Sequence, residues 1–201
     1  MNKEDKFAHK AKDYEAKQRR VDTANTIAQS IKKSVLLTKD THIIDFGSGT
    51  GLLLEALSCD IGKVTAIDIS PSMTSVLREK KLACKLDIKE LDLTKQELDI
   101  QVDGIVTSLT MHHIKDIKTM LKKFNNMLKP KGFIAIADLE SEDGTFHSSD
   151  TGVEHLGFDK EEFKQTVEQC GFNNCKIETV TKIAKPHKDF NIFLLTATKD
   201  L

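Results

Sequence analysis

Apolar positions along this chain fall into short runs separated by amphipathic stretches. Val21, Ala24, Ile27, Ala28 and Ile31 recur at the three-and-four spacing of one helix face. Phe7, Ala8, Ala11 and Tyr14 repeat that interval in a polar background, which predicts an earlier helix within residues 4–20. Lys39-Asp40 marks a turn, and Thr41–Phe46 reads as a buried strand. Leu52, Leu53, Leu54 and Leu57 predict a helix over 51–58, and Lys63–Asp68 a second strand ending in an acid. Ser70-Pro71 supplies an N-cap and a proline at the first helical position, so a helix should run from there to about Leu82. Ile88–Leu93 and Val102–Ser108 read as further strands. Ile114, Ile117, Leu121, Phe124 and Leu128 space out a long helix stopped by Pro130-Lys131-Gly132, and Phe133–Ala137 is a fifth strand.

Strands alternating with helices imply parallel pairing through right-handed crossovers. The rhythm breaks after the fifth strand. Residues 139–158 show no clear periodicity, and a loop of that length in a compact domain is usually a lid or a binding loop. Asp159-Lys160-Glu161-Glu162 looks like a capping box opening a helix with Phe163, Val167 and Cys170 on its inner face, ended by Gly171. Residues 175–184 and 189–198 are β-rich, joined by Lys185-Pro186-His187-Lys188 with no helix between them, and predict an antiparallel hairpin.

The first strand runs directly into Gly47-Ser48-Gly49-Thr50-Gly51 and then a helix. Glycine tolerates the dihedrals such a turn needs, and its missing Cβ lets a ligand approach backbone beside a helix N-terminus. The spacing counts against two common ligands, though a nicotinamide-dependent oxidoreductase stays a weaker alternative. A dinucleotide fingerprint Gly-x-Gly-x-x-Gly would put its third glycine at Leu52, and a P-loop would follow Gly51 with lysine rather than leucine. Asp45-x-Gly47-x-Gly49-x-Gly51 instead resembles motif I of the class I S-adenosylmethionine-dependent methyltransferases, over roughly residues 40–199 in order and spacing.

That resemblance implies a three-layer, Rossmann-like α/β fold. Its seven-stranded sheet would have the order 3-2-1-4-5-7-6, strand 7 antiparallel, with helices on both faces. Residues 1–201 would be one domain, with 1–38 a helical cap, 40–199 the core and 139–158 a substrate loop. It also implies a cofactor site. Asp45 and the backbone of Gly47, Ser48 and Gly49 would face the methionine end, with Ser108 at the end of strand 4 nearby. Asp68, 17 residues beyond Gly51, would accept both ribose hydroxyls, as an acid at that place does in dinucleotide folds. Ile69 and Met73 would touch the rings, and Asp92 and Leu93 would meet adenine, with Asp87 and Glu90 as alternatives to Asp92. Tyr14 and Arg20 resemble the N-terminal lid of small-molecule methyltransferases, Arg20 pairing with the methionine carboxylate. After strand 4, His112 or His113 would face the acceptor as a base. Asp138, His147 and His155 belong to the substrate loop, whose spacing matches no metal site.

Composition narrows the partners. Charged residues make up 30% of the 201 and hydrophobic residues 39%, an ordinary globular balance, and the formal net charge of −1 offers no field for nucleic acid. No stretch reaches the length of a membrane span, and the charged N-terminus carries no secretory signal. Cys59, Cys84, Cys170 and Cys175 lack disulfide or zinc spacing, which reads as reduced thiols in a cytoplasmic protein. The expected function is methyl transfer from S-adenosylmethionine to a small molecule, leaving S-adenosylhomocysteine, by a monomer or homodimer. The alternatives are a methyltransferase acting on protein or nucleic acid, whose base-methylating signatures are absent, and a non-catalytic adenosylmethionine-binding protein.

Overall fold

In the computed structural model, which describes residues 14–147 and 152–200, Ile43 and Ile44 are adjacent on one strand and both fully buried. Successive strand residues point to opposite faces, so a packed layer must lie on each side of the sheet. Ile44 joins a cluster with Phe46, Phe124, Phe163 and Phe193, and Ile43 joins one with Ile27, Ile31, Leu54 and Leu57.

In chain order the elements are α1 (Gln18–Ser34), β1 (His42–Phe46), α2 (Leu52–Leu57), β2 (Lys63–Asp68), α3 (Pro71–Glu79), β3 (Lys85–Glu90) and β4 (Val102–Ser108). A 3-10 turn (Met111–His113) follows, then α4 (Ile117–Met127), β5 (Leu128–Leu139), α5 (Lys160–Gln169), β6 (Phe172–Lys185) and β7 (Lys188–Lys199). The sheet order is β3-β2-β1-β4-β5-β7-β6, with β7 antiparallel to both neighbours and the other pairings parallel.

Caps explain several boundaries. Ser70 Oγ accepts the Met73 N–H ahead of Pro71, opening α3, and Asp159 accepts the N–H groups of Glu161 and Glu162, opening α5. Asp116 accepts the Thr119 N–H at 2.9 Å, so α4 starts at Ile117 rather than at the histidine pair, which is held in the 3-10 turn.

Four expectations need correction. The third strand occupies Lys85–Glu90, not Ile88–Leu93, because its register with β2 pairs Lys63 with Lys85 and Asp68 with Glu90. As an edge strand it tolerates charge at alternate positions and needs no apolar run. Helix α3 ends at Glu79, not near Leu82, where Lys80 turns extended and its ammonium is drawn between Glu15 and Glu55. Pro130-Lys131-Gly132 lies inside β5, where the register with β4 shifts between Val102 and Gly104 and Lys131 adopts φ 63°. Of the helix expected before α1, most lies outside the described residues, and Tyr14–Lys17 form turns rather than helix.

The described parts of the 139–158 loop are ordered. Its arms are zipped at the base by Ser141 N–H to Phe158 O (3.0 Å), Glu142 N–H to Leu156 O (2.9 Å) and Phe158 N–H to Leu139 O (2.9 Å). Glu154 and His155 both donate backbone N–H groups to His112 O. The four cysteines are free thiols. Among the described residues no helix is long and apolar enough to cross a membrane, and no His, Cys, Asp and Glu group is placed to hold a metal.

Candidate active site

The loops leaving β1, β2 and β4 open into one cleft of about 1590 Å3, at the sheet edge where the strand order reverses between the parallel neighbours β1 and β4. Small-ligand pockets run to roughly 300–1,000 Å3, so two molecules fit side by side.

The glycine turn forms one wall. Gly47, Gly49 and Gly51 all have positive φ. At Gly47 a Cβ would lie 2.2 Å from Thr110 Oγ1, whereas at Gly49 it would meet no protein atom within 4 Å. The first glycine therefore lets the turn pack on the segment after β4, and the second leaves its backbone open to the cleft.

Asp68 is braced against this turn. Its Oδ2 accepts the Gly49 N–H at 2.7 Å and its Oδ1 the Ser70 N–H at 2.8 Å, so the acid at the end of β2 and the glycines share one site. Asp45 is 2% exposed, and its Oδ2, Ser48 Oγ and Thr50 Oγ1 are buried polar atoms without a partner among the described residues. Burial first, and the Asp68 charge second, push the Asp45 carboxyl up to about 8. A buried acceptor with no donor is costly unless a ligand supplies one. An α-amino group is the donor that fits, since its charge would also restore the carboxylate. The residues thus suit the methionine end of the cofactor.

Tyr14 and Arg20 also line the cleft. Arg20 donates to Tyr14 O at 2.8 Å and lies 3.9 Å above the Tyr14 ring, so the two move as a unit. Burial chiefly raises the Tyr14 phenol above its ordinary value; Arg20 opposes this and the nearby Asp68 adds to it, leaving a neutral donor. On the expected adenine side, Met73 and Leu93 are buried and Ile69 is 62% exposed at the rim. Asp92 accepts from Thr94 and Lys95; these bonds hold it well below the usual carboxylate range although burial pushes the other way. Glu90 is tied to Thr74 and Arg78.

The second chemical group in the cleft comes from the segment after β4. His112 Nδ1 lies 2.6 Å from Asp138 Oδ1, with both residues almost wholly buried. Asp138 also accepts the backbone N–H groups of His112 (3.2 Å) and Leu139 (2.7 Å), which fixes its plane. Acting as acceptor, the carboxylate keeps the proton on Nδ1 and leaves Nε2 as a lone pair on the cleft side. That Nε2 is buried and has no partner among the described residues. His113 Nδ1 lies 3.1 Å from Gly152 O, so of the two histidines His112 has the geometry of a base. Ser108 lines the same wall.

Two expected loop residues sit elsewhere. Asp138 is the buried end of β5 beneath His112 and does not line the cleft. His155 turns away, its Nε2 2.9 Å from Ile114 O and its ring 5.2 Å from that of Phe158. His147 does reach the cleft, with its ring centroid 5.1 Å from that of His112. The dyad went unread in the sequence, although strand order offered the signal: β4 and β5 are neighbours, so an acid ending β5 meets a histidine just after β4.

A family profile described as a methyltransferase domain matches residues 44–136, from the glycine-turn strand through β5. Those residues carry a methyltransferase domain, and the chain is similar in fold to S-adenosylmethionine-dependent methyltransferases. An uncharacterized methyltransferase of Schizosaccharomyces pombe is 34% identical over 118 residues, 53% of this chain and 42% of that protein. A ubiquinone biosynthesis O-methyltransferase of Xanthomonas campestris is 24% identical over 159 residues, covering 76% of this chain and 66% of the relative. The chain thus spans between two-fifths and two-thirds of these two methyltransferases. Among solved structures, Haemonchus contortus phosphoethanolamine N-methyltransferase 2, in complex with phosphomonomethylethanolamine and S-adenosylhomocysteine, superposes with a TM-score of 0.69 at 17% identity. That alignment covers 87% of this chain and 52% of the methyltransferase and supports the shared fold.

Proposed function

We propose that this chain transfers the methyl group of S-adenosylmethionine to a small-molecule acceptor by in-line displacement, releasing S-adenosylhomocysteine. The observation that carries the reading is one cleft holding both Asp45 with its unsatisfied Oδ2 and the Asp138-held His112 with its unsatisfied Nε2. The near-neutral charge and the O-methyltransferase relative favour a small acceptor over nucleic acid.

When bound, the cofactor supplies an activated methyl on a sulfonium. Asp45 would hold the amino group, Asp68 the ribose hydroxyls, and the Gly47–Gly49 backbone the methionine portion. Arg20, stacked on Tyr14, would pair with the carboxylate, and Ile69, Met73, Asp92 and Leu93 would hold the sugar and base. His112 Nε2 accepts a proton from the acceptor as its nucleophilic atom is alkylated, and Asp138 holds the ring in the tautomer that can do so. Within a single domain, Tyr14, Arg20 and Ala24 from the N-terminal segment and Phe146, His147 and Glu154 from the 139–158 loop line the cleft and would keep water out.

Turnover of S-adenosylmethionine to S-adenosylhomocysteine against a panel of hydroxyl, amine, thiol and carbon acceptors tests the activity; binding without turnover on any of them would make the chain a sensor. Asp138→Asn separates positioning from binding. An asparagine amide presented to Nδ1 drives the proton to Nε2, so turnover should fall by about 100- to 10,000-fold while cofactor affinity stays unchanged. An Asp138→Asn variant with normal turnover would show that no base acts here.

A further inference from the structure

The acceptor side of the cleft carries a charge pattern that the methyl-transfer reading leaves unused. From His112 an aromatic wall runs outward: His147 at 5.1 Å between ring centroids, then Phe146 at 4.8 Å, then the Lys185 ammonium 4.3 Å from the Phe146 centroid. Arg19 of α1 donates to Ala184 O, which brings its guanidinium beside Lys185, and Lys17 lines the same mouth.

These three cations have no carboxylate partner among the described residues, whereas Lys80, Lys123, Lys182 and Lys188 are all ion-paired. Burial, and then the Arg19 charge with a smaller contribution from Lys17, hold the Lys185 ammonium below the usual lysine range. Glu142 opposes this, but its Oε2 already accepts the N–H groups of Gly144 (2.8 Å) and Phe146 (3.2 Å). Lys17 and Arg19 are exposed and Lys185 is partly buried; like charges gathered there cost free energy that a bound anion would remove. The acids lining the cleft are Asp45, Asp68, Glu90, Asp92, Asp116 and Glu154, and none of them is among the charges that act most on Lys185.

We infer that the acceptor is an anion: a planar or unsaturated body lies along Phe146 and His147, and its carboxylate or phosphate is held by Arg19 and Lys185, with Lys17 adding field at the mouth. This rests on the methyltransferase reading, because the wall begins at the proposed base. Arg19 supplies a planar donor fork suited to either anion, and Lys185 a point charge seated on an aromatic face.

Calorimetry on the full chain tests it, titrating first S-adenosylhomocysteine and then benzoate, phenyl phosphate or neutral benzamide. The expected result is that at least one anion binds 10-fold or more tightly than benzamide. Lys185→Gln and Arg19→Gln should each erase most of that preference and leave S-adenosylhomocysteine affinity unchanged. The stronger of the two anions identifies the group. Equal binding of benzamide, no anion binding in the millimolar range, or unchanged preference in both variants would overturn the inference. So would a loss of S-adenosylhomocysteine affinity in the variants, which would assign the cations to the cofactor. Failure of S-adenosylhomocysteine to bind the wild type, with the anion preference intact, would sink the methyltransferase reading alone.

Discussion

An Asp45→Asn variant should bind S-adenosylhomocysteine more weakly and yet, without ligand, be the more stable protein near pH 8. The Asp45 carboxyl is pushed up to about 8, chiefly by burial, against about 3.9 for an unfolded-chain aspartate. Its folded pKa is the higher one, so the native state binds the proton more tightly. The stability this group contributes is fully present below about pH 3.9 and is lost as pH rises through about 8, at about 1.4 kcal/mol per pH unit in that window. Asparagine has no proton to lose and flattens that slope. Thermal melts of the ligand-free protein from pH 5 to 8.5 measure it; equal pH slopes in wild type and variant would mean the carboxyl is not buried as described.

The same group makes cofactor binding proton-linked. At pH 7 Asp45 is mostly protonated in the free protein, and an arriving ammonium favours the carboxylate. Binding should therefore release close to one proton, read by calorimetry in buffers of differing ionisation enthalpy, and the release should vanish in Asp45→Asn.

Asp68→Ala should weaken S-adenosylhomocysteine binding by about 2–4 kcal/mol, a factor of roughly 30 to 1,000, since two hydrogen bonds to a charged acceptor are removed. Asp68 also braces Gly49 and Ser70 in the free protein, so the variant should melt earlier as well. A lowered melting temperature with unchanged affinity would reduce Asp68 to a brace for the turn. Asp68→Asn, which keeps one acceptor oxygen, should fall between the two in affinity.

Strands β2 and β4 were legible to the residue, because in a central parallel strand both faces are buried and the apolar run is continuous: Val64, Ala66 and Ile67, and Ile105, Val106 and Thr107, are all buried. The glycine turn was legible because its chemistry is local: three positive-φ residues between a strand and a helix cannot be disguised. Edge strand β3 was misplaced because one free edge relaxes the need for apolar residues, so Lys85, Asp87 and Lys89 read as loop. The Pro130–Gly132 segment was read as a stop because proline and glycine punctuate turns, whereas here they occupy the register shift of β5. The His112–Asp138 contact joins residues 26 apart in sequence through strand adjacency, and no local pattern announces it. The Arg19–Lys185 mouth is likewise tertiary, built from a helix and a hairpin at opposite ends of the chain.

The central claim is that the glycine turn and the two acids beside it hold S-adenosylmethionine. A crystal structure of the full chain with S-adenosylhomocysteine tests it most directly. Ribose hydroxyls should lie within hydrogen-bond distance of Asp68, the amino group against Asp45 Oδ2, and the sulfur turned toward the His112 side of the cleft. Ligand density elsewhere on the sheet, or a ribose with no contact to Asp68, would contradict it.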